Sequence, residues 1–172
     1  VYALTGGKVN IAYGAVLRLW HDKREAGIED PTKAELPDPA ALEEAAKHTS
    51  IEDVIIDETA GTIYLKDPEM SLDVGGIGKG YATENAAKLI QNEGSENFLL
   101  NLGGNVRAIG IKGDGSKWVC PVESPEYRDT QTGDQYAITC YLDGRSLVTS
   151  GDYERYFVVD GQRYHHIIDP DT

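Results

Sequence analysis

Helical spacing of apolar positions dominates the first half of the chain, and short strand-like apolar runs dominate the second. From Ile77 the apolar and small residues Tyr81, Ala82, Ala86, Leu89 and Ile90 recur at i, i+4, i+5, which predicts a helix that buries one face and closes on Gly94 as its C′ residue. In DPAALEEAAKHT, Asp38 supplies an N-cap oxygen and Pro39 is tolerated at the first helical position, so a helix is expected over about Pro39 to His48. Nearer the start, TGGKVNIAYGAVLRLW is a glycine-punctuated entry to the apolar cluster Val16, Leu17, Leu19 and Trp20, which predicts a short helix. The acidic, proline-spaced stretch that follows, up to Asp38, reads as a surface loop.

The runs VII (Val54 to Ile56) and TIYL (Thr62 to Leu65) flank DETAG and predict a β-hairpin. Beyond Gly94 come NFLLNL, NVRAIGIK, KWVCPV, QYAITCYL, RSLVTS, RYFVVD and QRYHHIID, separated mostly by glycine turns. The DG dipeptides in GDGSK, LDGRS and VDGQR tolerate positive φ and are expected to close hairpins. Helices early and antiparallel strands late predict an α+β fold, helices packed on antiparallel sheets, rather than alternating βαβ units. No internal repeat or low-complexity segment interrupts the pattern.

Charge narrows the function classes. Sixteen Lys plus Arg against 29 Asp plus Glu give a formal charge of −13. Nucleic acid and anionic lipid both need a basic surface, so neither is an expected partner, whereas a small anion held by a few local cations is compatible. No apolar run approaches the roughly 18–20 residues that cross a bilayer, and no signal-peptide pattern is present. Cys120 and Cys140 lie in different strand-like runs without metal-ligand spacing; they read either as two buried thiols or as a cross-strand disulfide.

Chemistry concentrates in three places. The stretch SLDVGGIGKGYATENAA (residues 71–87) puts a strand-to-helix turn at Asp73 to Gly78, rich in glycine. It satisfies neither G-x-x-x-x-G-K-[ST] nor G-x-G-x-x-G. Even so, glycines allow close backbone approach and Lys79 in a first helical turn opposes the helix dipole unless an anion lies beside it. Asp73 can be that anion, a Mg²⁺ ligand or a cap; at this point the turn reads equally as a bend or as an anion or metal site. The second place, NLGGNVRAIG, predicts a tight hairpin turn with Gly103 and Gly104 at positive φ. The third, VTSGDYERYFVVDGQRYHHIIDPDT, gathers Thr149, Ser150, Asp152, Arg155, His166 and Asp169. Adjacent strand residues face opposite ways, so at most one of His165 and His166 faces a site. A Ser150, His166, Asp169 triad is conceivable, but no G-x-S-x-G elbow surrounds the serine.

Taken in order and with their gaps, SLDVGGIGKGYATENAA, NLGGNV, VTSGDYERYF and YHHIIDPDT resemble the ApbE family of flavin transferases, and TGGKVNIAYGAVLRLW resembles an earlier segment of that family. The resemblance covers nearly the whole chain. It implies an enzyme that uses FAD and Mg²⁺ and transfers FMN to a Thr or Ser hydroxyl of an acceptor flavoprotein, releasing AMP. It leaves as alternatives a Mg²⁺-dependent FAD pyrophosphatase and a catalytically silent flavin-binding protein. By resemblance, Lys8, Val9 and Asn10 line the flavin pocket, with Asn10 standing where the family usually has Asp. Asp73 and Lys79 contact FAD, the Gly76 carbonyl binds the metal, and Thr149, Ser150 and Gly151 form a turn near the pyrophosphate. His166 is the general base and an FAD contact. The family's principal metal ligands, an Asp and a Thr four residues apart, have no counterpart here, nor does its initial flavin-contacting segment. Residues 1–172 are therefore expected to form a single domain that is the central part of a longer catalytic domain, binding Mg²⁺ weakly and turning over little or not at all by itself. Family members are commonly exported and lipid-anchored, which implies the extracytoplasmic face of a bacterial membrane.

Overall fold

In chain order the elements are α1 (Gly14–Glu29), α2 (Pro39–Ala46), β1 (Val54–Asp57), β2 (Thr62–Leu65), α3 (Gly75–Asn92), β3 (Phe98–Leu102), β4 (Asn105–Ile109), β5 (Trp118–Glu123), α4 (Pro125–Thr130), β6 (Tyr136–Leu142), β7 (Ser146–Val148), β8 (Tyr156–Val159) and β9 (Gln162–His165). This is a computed structural model that describes residues 1–170. The mixture of helices with exclusively antiparallel strand pairs is the expected α+β class. Two compact units divide the chain: residues 1–76 with the stretch from Asp152 onward, and residues 77–151.

In the first unit, α1 packs on β8, with Trp20 stacked on Tyr164 at 6.2 Å and Phe157 tilted against the same ring at 5.8 Å. Ala12, Val16, Met70 and Phe157 are its buried apolar residues. Helix α1 is far longer than the short helix the apolar cluster predicts. The helix runs on past Gly27, where a Cβ would lie 3.1 Å from Phe157 and 3.2 Å from Ala34, so the glycine permits close packing inside the helix. The expected loop begins later, at Asp30, which caps a 3-10 turn, Pro31–Lys33, and it continues through residues 34–38 to α2. Asp38 Oδ1 accepts from the Ala40 N–H, as the capping argument requires, and α2 stops two residues short of His48. The β1–β2 hairpin forms in the expected place, pairing Val54 with Leu65 and Asp57 with Thr62.

In the second unit, Ala108, Cys120 and Leu142 are buried together beneath Leu99, Val106, Trp118 and Leu147. Helix α3 ends as its sequence predicts: Gly94 takes φ +92°, and Ser95 N–H reaches back to Ile90 O at 3.2 Å in a Schellman arrangement. Its start differs from expectation. Gly75, Gly76 and Gly78 belong to the helix, so the strand-to-helix turn ends before Gly75 instead of running to Gly78. Strand order β3-β4-β7 and the separate β5-β6 pair overturn two of the three DG hairpins. GDGSK joins β4 to β5 and LDGRS joins β6 to β7, strands that do not pair with each other; only VDGQR closes a true hairpin, with Asp160 and Gly161 both at positive φ. A DG turn fixes local chain reversal, whereas the partner of each strand is chosen by the apolar face it must cover. Helix α4, capped by Ser124 ahead of Pro125, was not anticipated. Cys120 and Cys140 face each other across β5–β6 as free thiols, and burial, together with Cys140, pushes the Cys120 thiol up from its usual value.

Candidate functional site

The residues singled out by resemblance divide between the two units, and each group has its own geometry. In the first unit, residues 5–13 wind through two 3-10 turns separated by glycines at positive φ. Val9 N–H donates to Thr5 Oγ1 at 3.0 Å, and Lys8 and Asn10 on either side have side-chain partners of their own. Lys8 Nζ donates to Asp169 Oδ1 at 2.8 Å, and Tyr13 Oη donates to the Pro170 carbonyl at 3.3 Å. Asn10 uses both ends of its amide: Oδ1 accepts from Ala12 N–H and Nδ2 donates to Thr49 O, each at 2.9 Å. A carboxylate at this position would keep the first bond and lose the second, which gives Asn10 a structural reason to stand where the family usually has Asp.

Around Asn10 lies a cleft of about 410 Å³, lined by Tyr2, Gly7, Tyr13, Thr49, Ser50 and Pro170 among others. Two phenol rings, backbone-rich glycine turns and an amide are suited to a planar heteroaromatic ligand with polar edges. Asp73 is held nearby in sequence space by its own N–H to Ile11 O at 2.8 Å, and its Oδ1 accepts from Gly75 N–H at 2.7 Å. Oδ1 thus bonds the first residue of α3, as the capping alternative requires; the anion and Mg²⁺ alternatives are not decided by this bond.

His166 follows β9 directly. Its Nε2 lies 3.1 Å from Arg155 Nη2, and its backbone N–H donates to Arg155 O at 3.1 Å. Its Nδ1 is buried without a hydrogen-bond partner. Burial first, then the positive charge of Arg155, hold the imidazole below its ordinary pKa, so it is neutral near pH 7. With both ring nitrogens accounted for in this way, and Asp169 bonded to Lys8, the His–Asp arm of the conceivable triad is not formed.

In the second unit, Lys79 Nζ donates to Gly103 O at 3.0 Å and Thr149 N–H donates to Gly104 O at 3.1 Å. Gly103 and Gly104 take φ +55° and +86°, as the NLGGNV turn predicts, and a Cβ on Gly104 would meet Thr149 Oγ1 at 3.0 Å. The first turns of α3, the β3–β4 turn and the end of β7 thus meet at Lys79, Gly103, Gly104 and Thr149. Ser150 and Gly151 continue the chain from that point.

The residues described do not by themselves make a magnesium site. Among them no group of three or more His, Cys, Asp or Glu side chains gathers around one point. Gly76 is the second residue of α3, where a carbonyl is directed at the N–H four residues on and keeps one lone pair for another ligand. One carbonyl lone pair falls short of the near-octahedral oxygen set Mg²⁺ demands. The cleft residues Tyr2, Tyr13 and Thr49 and the pairing of Arg155 with His166 are what motif spacing missed. Arg155 was within reach, because counting outward from the VDGQR turn pairs it with His166.

Comparison with known proteins places this geometry in context. The sequence model described as the ApbE family matches residues 1–172. A protein from Klebsiella pneumoniae named FAD:protein FMN transferase is 35% identical over 161 residues, covering 94% of this chain and 46% of its own length. A protein of the same name from Treponema pallidum is 35% identical over 181 residues, covering 98% and 47%. Among solved structures, the ApbE protein of Thermotoga maritima superposes with a TM-score of 0.81 at 36% identity, covering 99% of this chain and 52% of that one. The chain spans about half the length of the curated relatives it matches.

Proposed function

The chain belongs to the ApbE family, and from that premise we propose that it carries part of the catalytic apparatus of an enzyme that moves FMN from FAD to a Thr or Ser hydroxyl of an acceptor protein, releasing AMP. The observation that carries the reading is His166, at the end of the hairpin where the family resemblance puts its base: its Nε2 lies 3.1 Å from Arg155 Nη2, and burial, then Arg155, hold the imidazole below its ordinary pKa.

In this reaction the acceptor oxygen attacks the phosphorus on the FMN side of the pyrophosphate, the bond to the AMP oxygen breaks, and AMP leaves. His166 Nε2 takes the hydroxyl proton as the new P–O bond forms. Lys79 gives one of its three N–H donors to Gly103 and has two left for an anionic oxygen. Asp73 keeps the start of α3 fixed, and Thr149, Ser150 and Gly151 provide the turn assigned to the pyrophosphate. The cleft around Asn10, Tyr2 and Tyr13 supports an isoalloxazine as its occupant.

Magnesium, when bound, would neutralise charge developing on the pyrophosphate. The Gly76 carbonyl would supply one oxygen to it, and no cluster of three or more carboxylates, imidazoles or thiols lies among the described residues to complete the set. An extracytoplasmic location on a bacterial membrane is the corresponding reading for the cell; no helix described is long and apolar enough to cross a membrane. Recovery of the protein from the cytosolic fraction alone would refute that location.

The reaction itself is tested by incubating the intact protein with FAD and Mg²⁺, with and without a Thr-containing acceptor peptide. AMP release that depends on the peptide supports transfer. AMP released equally well without it makes water the nucleophile and the protein a pyrophosphatase.

A further inference from the structure

Arg155 and His166 lie opposite each other one step beyond the last pair of the β8–β9 ladder, Tyr156 with His165. Residues directly opposite on antiparallel strands present their side chains on the same face, roughly 5 Å apart at Cβ. Here the backbones are joined by the His166 N–H to Arg155 O bond and the side chains by Arg155 Nη2 to His166 Nε2, each 3.1 Å. A guanidinium has donors and no acceptor. The contact is therefore a hydrogen bond only if Nε2 carries the lone pair, which leaves the proton of the neutral ring on Nδ1.

That tautomer is not one the rest of the surroundings would choose. Nδ1 is buried without a partner, and a buried unpaired N–H is unfavourable by about 1–3 kcal/mol. Without Arg155, the proton would move to Nε2, which faces outward, and leave the lone pair buried. We infer that Arg155 is a positioning residue for the reaction: its guanidinium holds His166 in the Nδ1–H form, so that the nitrogen able to accept a proton is the outward one, Nε2. An incoming acceptor hydroxyl then takes the place of the guanidinium N–H at the same lone pair and passes its proton to it.

The other charged groups acting on His166 point the same way. Arg24 on α1 and the adjacent His165 both add positive potential. They disfavour the imidazolium but donate no bond to the ring, so they do not select a tautomer. The catalytic half of this inference rests on the flavin-transfer reading above; the tautomer does not.

The test combines spectroscopy with kinetics on the intact protein labelled with ¹⁵N histidine, the His166 signals being assigned from His166→Asn. In the wild type Nδ1 should show the shift of a protonated ring nitrogen and Nε2 that of an unprotonated one. In Arg155→Met the two should exchange and the titration midpoint should rise. Arg155→Gln, which keeps an N–H donor without the charge, should retain the wild-type tautomer, and Arg155→Leu, which also lacks a donor, replaces the Met variant if that does not fold. Shifts and midpoint unchanged in Arg155→Met overturn the inference. In AMP release with acceptor peptide, Arg155→Met should lower kcat about tenfold, with KM for FAD little altered and the acidic limb displaced to higher pH, and Gln should restore part of the rate. An exchanged tautomer with an unaltered pH–rate profile overturns the catalytic half. A wild-type protein without flavin turnover sinks the reaction reading instead, and the spectra still decide the role of Arg155.

Discussion

His48 shows how a single side chain couples this fold to pH. Its Nδ1 lies 2.7 Å from Asp67 Oδ2, with Glu44 at 3.7 Å on the other ring nitrogen, and it ties the end of α2 to the loop after β2. The hydrogen bond to Asp67 raises the His48 pKa above 6.5, and the same bond lowers that of Asp67 below 3.8. A raised histidine stabilises fully below its unfolded value and loses that contribution as pH climbs through the folded one; a lowered carboxylate stabilises above its unfolded value and loses it as pH falls through the folded one. The pair is thus strongest between those limits. His48→Ala is expected to depress the melting temperature more at pH 6 than at pH 9, with differential scanning fluorimetry as the readout; an equal loss at both would show that the charge plays no part. Asp67 Oδ1 also accepts from Glu69 N–H at 2.9 Å, so the loop retains some order when the histidine is gone. None of this was visible in the sequence, where His48 is only the last residue of a predicted helix and its partner lies 19 positions away.

At the level of elements, ends were more legible than extents or partners. Asp38 with Pro39 and Gly94 announce a cap and a C′ residue because each is the residue type whose side chain or backbone freedom the terminus needs. Among the described residues, all nine strands fall where short apolar runs predict them. Extents failed where an apparent breaker is used for packing. Gly27 sits inside α1, and the polar run HDKREAGIE that surrounds it carries little apolar signal because α1 buries only Gly14, Val16 and Gly27. Gly14 makes the same point at the other end of the helix. Its N–H donates to Ser71 O at 3.1 Å, and a Cβ there would lie 2.5 Å from that carbonyl, a backbone atom that cannot swing aside. Gly14→Ala is expected to destabilise the protein by about 1–3 kcal/mol despite alanine's better helix propensity, measured by urea unfolding. A neutral or stabilising result would mean that α1 and Ser71 are free to separate. Strand partners were the least legible level, since two DG turns reverse the chain without pairing the strands they join.

For the whole molecule, the sequence motifs located the candidate site better than they explained it. Lys8, Asn10, Asp73 and His166 fall in one unit, and Lys79, Gly103, Gly104 and Thr149 in the other, each group tied by its own hydrogen bonds. What motif spacing could not supply was how those bonds are used. Asp73 caps a helix, Lys79 braces a glycine turn, and the ring nitrogen of His166 that can act as a base is covered by Arg155. Partners of this kind are set by register and chain crossings, which a local pattern does not encode. The account stands or falls on His166 as the proton acceptor in transfer of FMN. The direct measurement is mass spectrometry of an acceptor peptide incubated with FAD, Mg²⁺ and either the intact protein or its His166→Ala variant. The account predicts a peptide heavier by one FMN with the wild type, and a rate lower by about 10²–10⁴-fold with the variant. Flavinylation at an undiminished rate by His166→Ala would contradict it.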